Sequence, residues 1–237
     1  MAQLEQTQSQ CESDPPHSPV QQWIRSFPSL SLSPSFPCPT KTSIPSDNDP
    51  ATNGMIEYLI STDPSLLSLS AINAAFAQEY MYWAKPLPEP LLQEMLDRSL
   101  CFGVYTCNNN GADTNITTNS ATTSTSTDSN STSQKPFAKN PTQIGFARIV
   151  TDNVTIAYLT DVYILPEYQG IGLGSWMLQC VNEWVDGRDE SGYFRRLMLL
   201  TVGGHRAEYY RRVIGAEQQG RVGEVYVLGR KGKGGLV

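Results

Sequence analysis

The stretch YILPEYQGIGLGSW, Tyr163 to Trp176, constrains the fold more than any other part of the chain. It joins a long apolar run, TIAYLTDVYIL (155–165), to SWMLQCVNEWV (175–185), where Met177, Leu178, Val181 and Val185 recur at helical spacing. Gly170, Gly172 and Gly174 fall between them at alternate positions. Glycine costs order in any regular element, so a turn this bare implies that something approaches the backbone closely. A strand, a glycine turn and a helix together make an anion site. The first helical turn offers unpaired N–H groups and partial positive charge, and the missing side chains let a diphosphate reach them.

Two common versions of that arrangement are excluded. A P-loop needs a Lys after its last glycine, and Ser175 stands there. A dinucleotide fingerprint needs G-x-G-x-x-G early in a βαβ unit, whereas this turn reads G-x-G-x-G and follows four predicted strands.

The rest of the 237 residues gives a readable order of elements. GMIEYLIST (54–62) reads as a strand, and DPSLLSLSAINAAFAQ (63–78) as a helix capped by Asp63, with Leu69, Ile72 and Phe76 on one face. EPLLQEMLDRS (89–99) reads as a second helix, with Leu91, Leu92, Met95 and Leu96 together. SLCFGVYTC (99–107) and QIGFARIVT (143–151) read as hairpin strands. After the glycine segment come a strand at RRLMLLTV (195–202), a helix at HRAEYYRRVIG (205–215) ended by Gly215, and a strand at EVYVLG (224–229).

Two segments carry too little apolar pattern to offset the entropy of ordering. Residues 1–53 are rich in Ser, Pro, Gln and Asp, and read as a disordered tail. Between Gly111 and Ser133, 17 of 23 residues are Ser, Thr or Asn, so about 108–139 reads as an insertion between the hairpin strands. The folded domain is expected over 54–237.

A net charge of −6 gives no support for nucleic-acid binding. From Gly170 onward ten Lys/Arg face seven Asp/Glu, a local balance that suits an anionic ligand. The five cysteines are scattered without metal-ligand spacing, so no metal site is expected. No apolar run is long enough to cross a membrane, and the N-terminus lacks a signal-like apolar stretch; a cytoplasmic location is expected, with the nucleus open.

QGIGLG (169–174) also fits the pattern Q/R-x-x-G-x-G/A through Gln169, Gly172 and Gly174. With YLTDVYILPEYQGIGLGSWML (158–178) around it and AEYYRRVIG (207–215) downstream, the chain resembles the GNAT superfamily of acetyl-CoA-dependent N-acetyltransferases from about Ile56 to Leu228. The resemblance implies an α/β fold with a mixed central sheet, a splayed strand pair and flanking helices. It implies acetyl-CoA as co-substrate, a small-molecule amine or peptide as acceptor, and neither nucleic acid nor membrane as partner.

The family's cofactor contacts map onto backbone groups of Gln169, Gly170, Ile171, Gly172, Leu173, Gly174 and Ser175 for the diphosphate, and of Val162, Tyr163 and Ile164 for pantetheine. The acid for the departing thiolate maps onto Tyr210, with Tyr209 as competitor; four residues separate Tyr210 from Gly215, where relatives place three. The base maps onto Asp161, beside Thr160, or onto Glu79 in AQEYMYW. His205, at a helix start, reads as a surface residue. Tyr80, Tyr82 and Trp83 suit either the acceptor pocket or a covering for the core. A non-catalytic acyl-CoA-binding module remains the alternative at this point; the oligomeric state is not readable.

Overall fold

The computed structural model describes residues 19–28, 55–106 and 141–235. These form an eight-stranded sheet in the order β1-β2-β3-β4-β5-β6-β8-β7. The strands are β1 (Gln22–Pro28), β2 (Met55–Ser61), β3 (Leu100–Thr106), β4 (Thr142–Thr151), β5 (Ile156–Ile164), β6 (Arg196–Val202), β7 (Glu217–Val222) and β8 (Val225–Lys231). Every neighbouring pair is antiparallel except β5 and β6. The helices are α1 (Leu69–Phe76), α2 (Glu89–Asp97), α3 (Leu173–Asp189) and α4 (Gly204–Ile214).

Two apolar layers hold the sheet. On one face α3 and α4 bury Trp176, Met177, Leu178, Val181 and Ala207 against Phe102, Leu159, Leu197 and Leu199. On the other, α1 and α2 bury Ile72, Phe76, Leu92 and Leu96 against Cys101, Phe146 and Tyr163. Each large apolar side chain so buried contributes about 1.5–3 kcal/mol.

The expected elements recur, with four differences. The helix expected over 63–78 is two pieces. Asp63 accepts from Ser65 N–H and caps only a 3₁₀ turn, Pro64–Leu66. Leu67 is then extended, and Ser68 caps α1 through Ala71 N–H. The break has a cause: Ser68 N–H donates to the Gln143 side chain at 2.8 Å, which draws the chain onto β4. In α2, Leu91 lies off the expected face and is 53% exposed. β7, EQQGRV, carries no apolar alternation and is an edge strand exposed on both faces, so its sequence gives no strand signal.

The fourth difference corrects the tail. Residues 22–28, expected to be disordered, form β1 along the edge of β2, from Gln22↔Ser61 to Pro28↔Met55. Trp23 and Phe27 share a face. Trp23 stacks on Phe102 and donates to Glu183 on α3, while Phe27 packs on Tyr58 and Trp176. Two aromatics at period-two spacing offset the ordering entropy that their polar neighbours cannot. Residues 1–18 and 29–53 of the expected tail and the 108–139 insertion lie outside the described residues.

Candidate active site

The site begins where one ladder stops. β5 and β6 pair in parallel from Ile156↔Arg196 to Leu159↔Leu199 and no further. β5 runs on to Ile164 and β6 to Val202, and β6 keeps its bonds to β8. The facing edges of Thr160–Ile164 and Leu200–Val202 therefore lie open to each other without ladder bonds.

A bulge helps turn β5 away. Phe146 faces Tyr163 and Arg148 faces Thr160, so Asp161 and Val162 together oppose Ala147. Asp161 takes the left-handed conformation at φ 52°, unusual for a residue with a side chain. An ion pair holds it there: Arg148 Nε donates to Asp161 Oδ2 at 2.7 Å, and Arg148 Nη1 donates to Ser99 Oγ at 3.2 Å. Thr160 Oγ1 lies 3.3 Å from the other carboxylate oxygen.

The glycine turn closes the open end of the split. Gly170 and Gly172 have φ of 87° and 100°, a region that costs a side-chain-bearing residue. Gly174 has a different reason: a Cβ there would stand 3.3 Å from Tyr209 Oη. Gln169 Nε2 donates to the last β5 carbonyl, Ile164 O, at 2.7 Å, and so ties the turn to the strand. No side chain caps α3. Its first helical bond runs from Trp176 N–H to Gly172 O, which leaves the N–H groups of Leu173, Gly174 and Ser175 ahead of it.

A cavity of about 940 Å³ runs from this turn through the split. Gln169, Gly170, Gly172, Gly174 and Ser175 line one end. Val162, Tyr163 and Ile164 line the strand side, and Tyr80, Met81, Tyr82 and Trp83, between α1 and α2, line the other end. Leu173 lines it too, although its side chain is buried; Ile171 does not, and its side chain packs on the core.

Both α4 tyrosines reach the cavity. Tyr209 Oη lies 3.1 Å from Ser175 Oγ, at the glycine end. Tyr210 is half-buried, and loss of water around it, with Tyr209 alongside, pushes its phenol up to about 12. Tyr82 is near enough to add to that shift, which sets Tyr210 toward the aromatic end.

The two carboxylates separate. Asp161 lines the cavity but is 8% exposed and already paired with Arg148. Glu79 is exposed in the 3₁₀ turn Glu79–Met81 and does not line the cavity, so the expectation that it faces the acceptor is not met. His205 is exposed and also lies off the cavity. Sequence reasoning missed Arg148, Arg206 and the Ser175–Tyr209 contact. Arg148 had a signal, a lone charge within the apolar strand FARIV.

A strand split open beside an uncapped, glycine-fronted helix offers a free backbone edge next to unpaired N–H groups that suit an anion. Residues 124–216 match the family described as the acetyltransferase (GNAT) family. A Gibberella zeae protein, FG08082, whose name assigns it provisionally to the acetyltransferases, is 42% identical over 146 residues, 62% of this chain and 72% of that protein. A GNAT-family protein of Xanthomonas campestris pv. campestris is similar at 28% identity and TM-score 0.43, over 65% of this chain and 82% of that one. The spermidine N-acetyltransferase of Vibrio cholerae, solved with CoA and spermine, is similar at 12% identity and TM-score 0.44, over 69% and 89%. The chain belongs to the GNAT acetyltransferase family and is an acyltransferase.

Proposed function

We propose that this acyltransferase moves an acetyl group from acetyl-CoA to a primary amine by direct attack of the neutral amine on the thioester. The observation that carries the reading is the end of the β5–β6 ladder at Leu159↔Leu199, next to the glycine turn. That geometry opens a backbone edge and an anion cradle along one line, and acetyl-CoA is a ligand with amides and a diphosphate in that order.

The open positive-φ glycines fit the ligand. No atom lies within 4 Å of a Cβ position at Gly170, and the one at Gly172 meets only the Phe27 ring. Backbone N–H groups of the turn and the first turn of α3 bind the diphosphate. The free edge of Val162–Ile164 pairs with the pantetheine amides. When bound, acetyl-CoA supplies an acyl group on a good leaving thiolate.

The chain's own residues then handle one proton. Tyr210 stays a neutral phenol well above assay pH and holds the proton that the departing sulfur takes. Asp161 serves as a positioning residue: its carboxylate is engaged by Arg148, and it keeps the bulge that turns β5 outward. The amine loses its proton to solvent through the open aromatic end.

Calorimetric titration tests the first half of this reading. One CoA should bind per chain, and acetyl-CoA should compete for the same site. A folded protein that binds ATP or NAD but neither of these contradicts it.

A further inference from the structure

The cavity's second end has its own chemistry, and it bears on what the amine is attached to. Tyr82 and Trp83 stand at its mouth, 57% and 46% exposed, edge to face at 4.8 Å. The opposite wall is the sheet face carrying Tyr158, Leu200 and Val225, and it continues past the cavity into exposed Met198. Large apolar groups left in water around a cavity mouth mark a binding surface more often than a chance exposure.

The charges at this end point the same way. The carboxylate that lines the cavity, Asp161, is neutralised by Arg148. Arg206 lines the cavity from α4, is exposed, and has no ion-pair partner among the described residues. Among the described residues that line the cavity, Arg206 is thus the one unpaired charge; the exposed carboxylates Glu79 and Glu167 flank Tyr80 but lie off the lining. Tyr80 Oη is buried without a hydrogen-bond partner among the described residues.

From this arrangement we infer that the acceptor is a small monoamine on an aromatic or apolar body, and that polyamines are poor acceptors. The inference rests on the acetyl-transfer reading above and narrows it. The aromatic body packs between the Tyr82–Trp83 pair and the Tyr158 side of the sheet. The amine points inward to the split, where it attacks the acetyl carbonyl. The N–C bond forms as the C–S bond breaks, the thiolate takes a proton from Tyr210, the amine's surplus proton leaves to water, and water returns a proton to Tyr210.

The test is amine-dependent thiol release at saturating acetyl-CoA, with 2-phenylethylamine and spermidine as the two acceptors. The expected kcat/KM for the aromatic amine is about tenfold or more above that for spermidine, the scale on which apolar pockets discriminate. Trp83→Ala, an exposed and structurally mild change, should lower the rate on 2-phenylethylamine by a larger factor than that on spermidine. Arg206→Glu should narrow the gap by raising the spermidine rate. Spermidine turning over equally well or better, or Trp83→Ala slowing both amines alike, overturns the inference and leaves acetyl transfer standing. Thiol release with neither amine, from protein that binds CoA, overturns this inference; thiol release with none of a wider panel of amines and peptides overturns the transfer reading as well.

Discussion

Tyr209 and Ser175 meet hydroxyl to hydroxyl at 3.1 Å, joining α4 to the first turn of α3 across the glycine end of the cavity. Tyr210, the next residue, is set toward Tyr82 at the far end. Adjacent tyrosines thus serve different halves of one cavity. Removing each hydroxyl should separate the halves kinetically. Tyr210→Phe should lower kcat by about 10²-fold, the usual scale for losing a proton donor, with KM for acetyl-CoA little changed. Tyr209→Phe should chiefly raise KM for acetyl-CoA. Steady-state kinetics on both variants checks the split, and the opposite pattern would make Tyr209 the donor.

The pH dependence of stability follows from the same phenol. Burial raises Tyr210 from 10.0 to about 12, so the fold prefers its neutral form. That preference contributes in full below the unfolded value and is lost as pH rises from about 10 towards 12. Burial shifts Tyr58 and Tyr80 in the same direction. Denaturant midpoints should therefore stay level to about pH 9.5 and fall above it. A midpoint that rises through pH 10 would contradict the burial of these side chains.

Gly172 lies at φ 100°, and a side chain there would meet the Phe27 ring at 3.5 Å. Gly172→Val should weaken CoA binding by about tenfold or more, since it disturbs the N–H groups proposed to hold the diphosphate. Gly170→Ala adds only a methyl group to open space, on a backbone at φ 87°. It should cost about 1 kcal/mol of stability with a smaller loss of affinity. Calorimetry and thermal unfolding on the pair separate strain from lost contact.

Asp161 and Arg148 form an ion pair whose side chains are 9% and 16% exposed. Asp161→Asn leaves the guanidinium without its counter-charge, at a cost of about 3–5 kcal/mol. The folded fraction should keep most of its kcat with a lowered Tm. Unchanged Tm with activity abolished would instead mark Asp161 as the base.

The glycine turn was legible because its signal is local: a strand period, three bare positions and a helix period occur within 31 residues, 155–185. The split beyond it followed from the family resemblance, since nothing in Thr160–Ile164 or Leu200–Val202 spells out the end of a ladder. Pairings across long separations stayed hidden. Trp23 bonds Glu183, 160 residues away, so β1 looked like part of a polar tail. Arg148 and Asp161 are joined by the β4–β5 register and its bulge, which turned a candidate base into half of an ion pair. Glu79 is adjacent in sequence to cavity-lining Tyr80 but faces water, a difference of side-chain direction within one turn.

The most direct measurement is product stoichiometry: purified protein, acetyl-CoA and 2-phenylethylamine, with free thiol quantified and the amine examined by mass spectrometry. The expected result is one N-acetylated amine for each thiol released, at a rate that Tyr210→Phe greatly reduces. Thiol release without acetylated amine, or a rate untouched by Tyr210→Phe, would contradict direct transfer at this site.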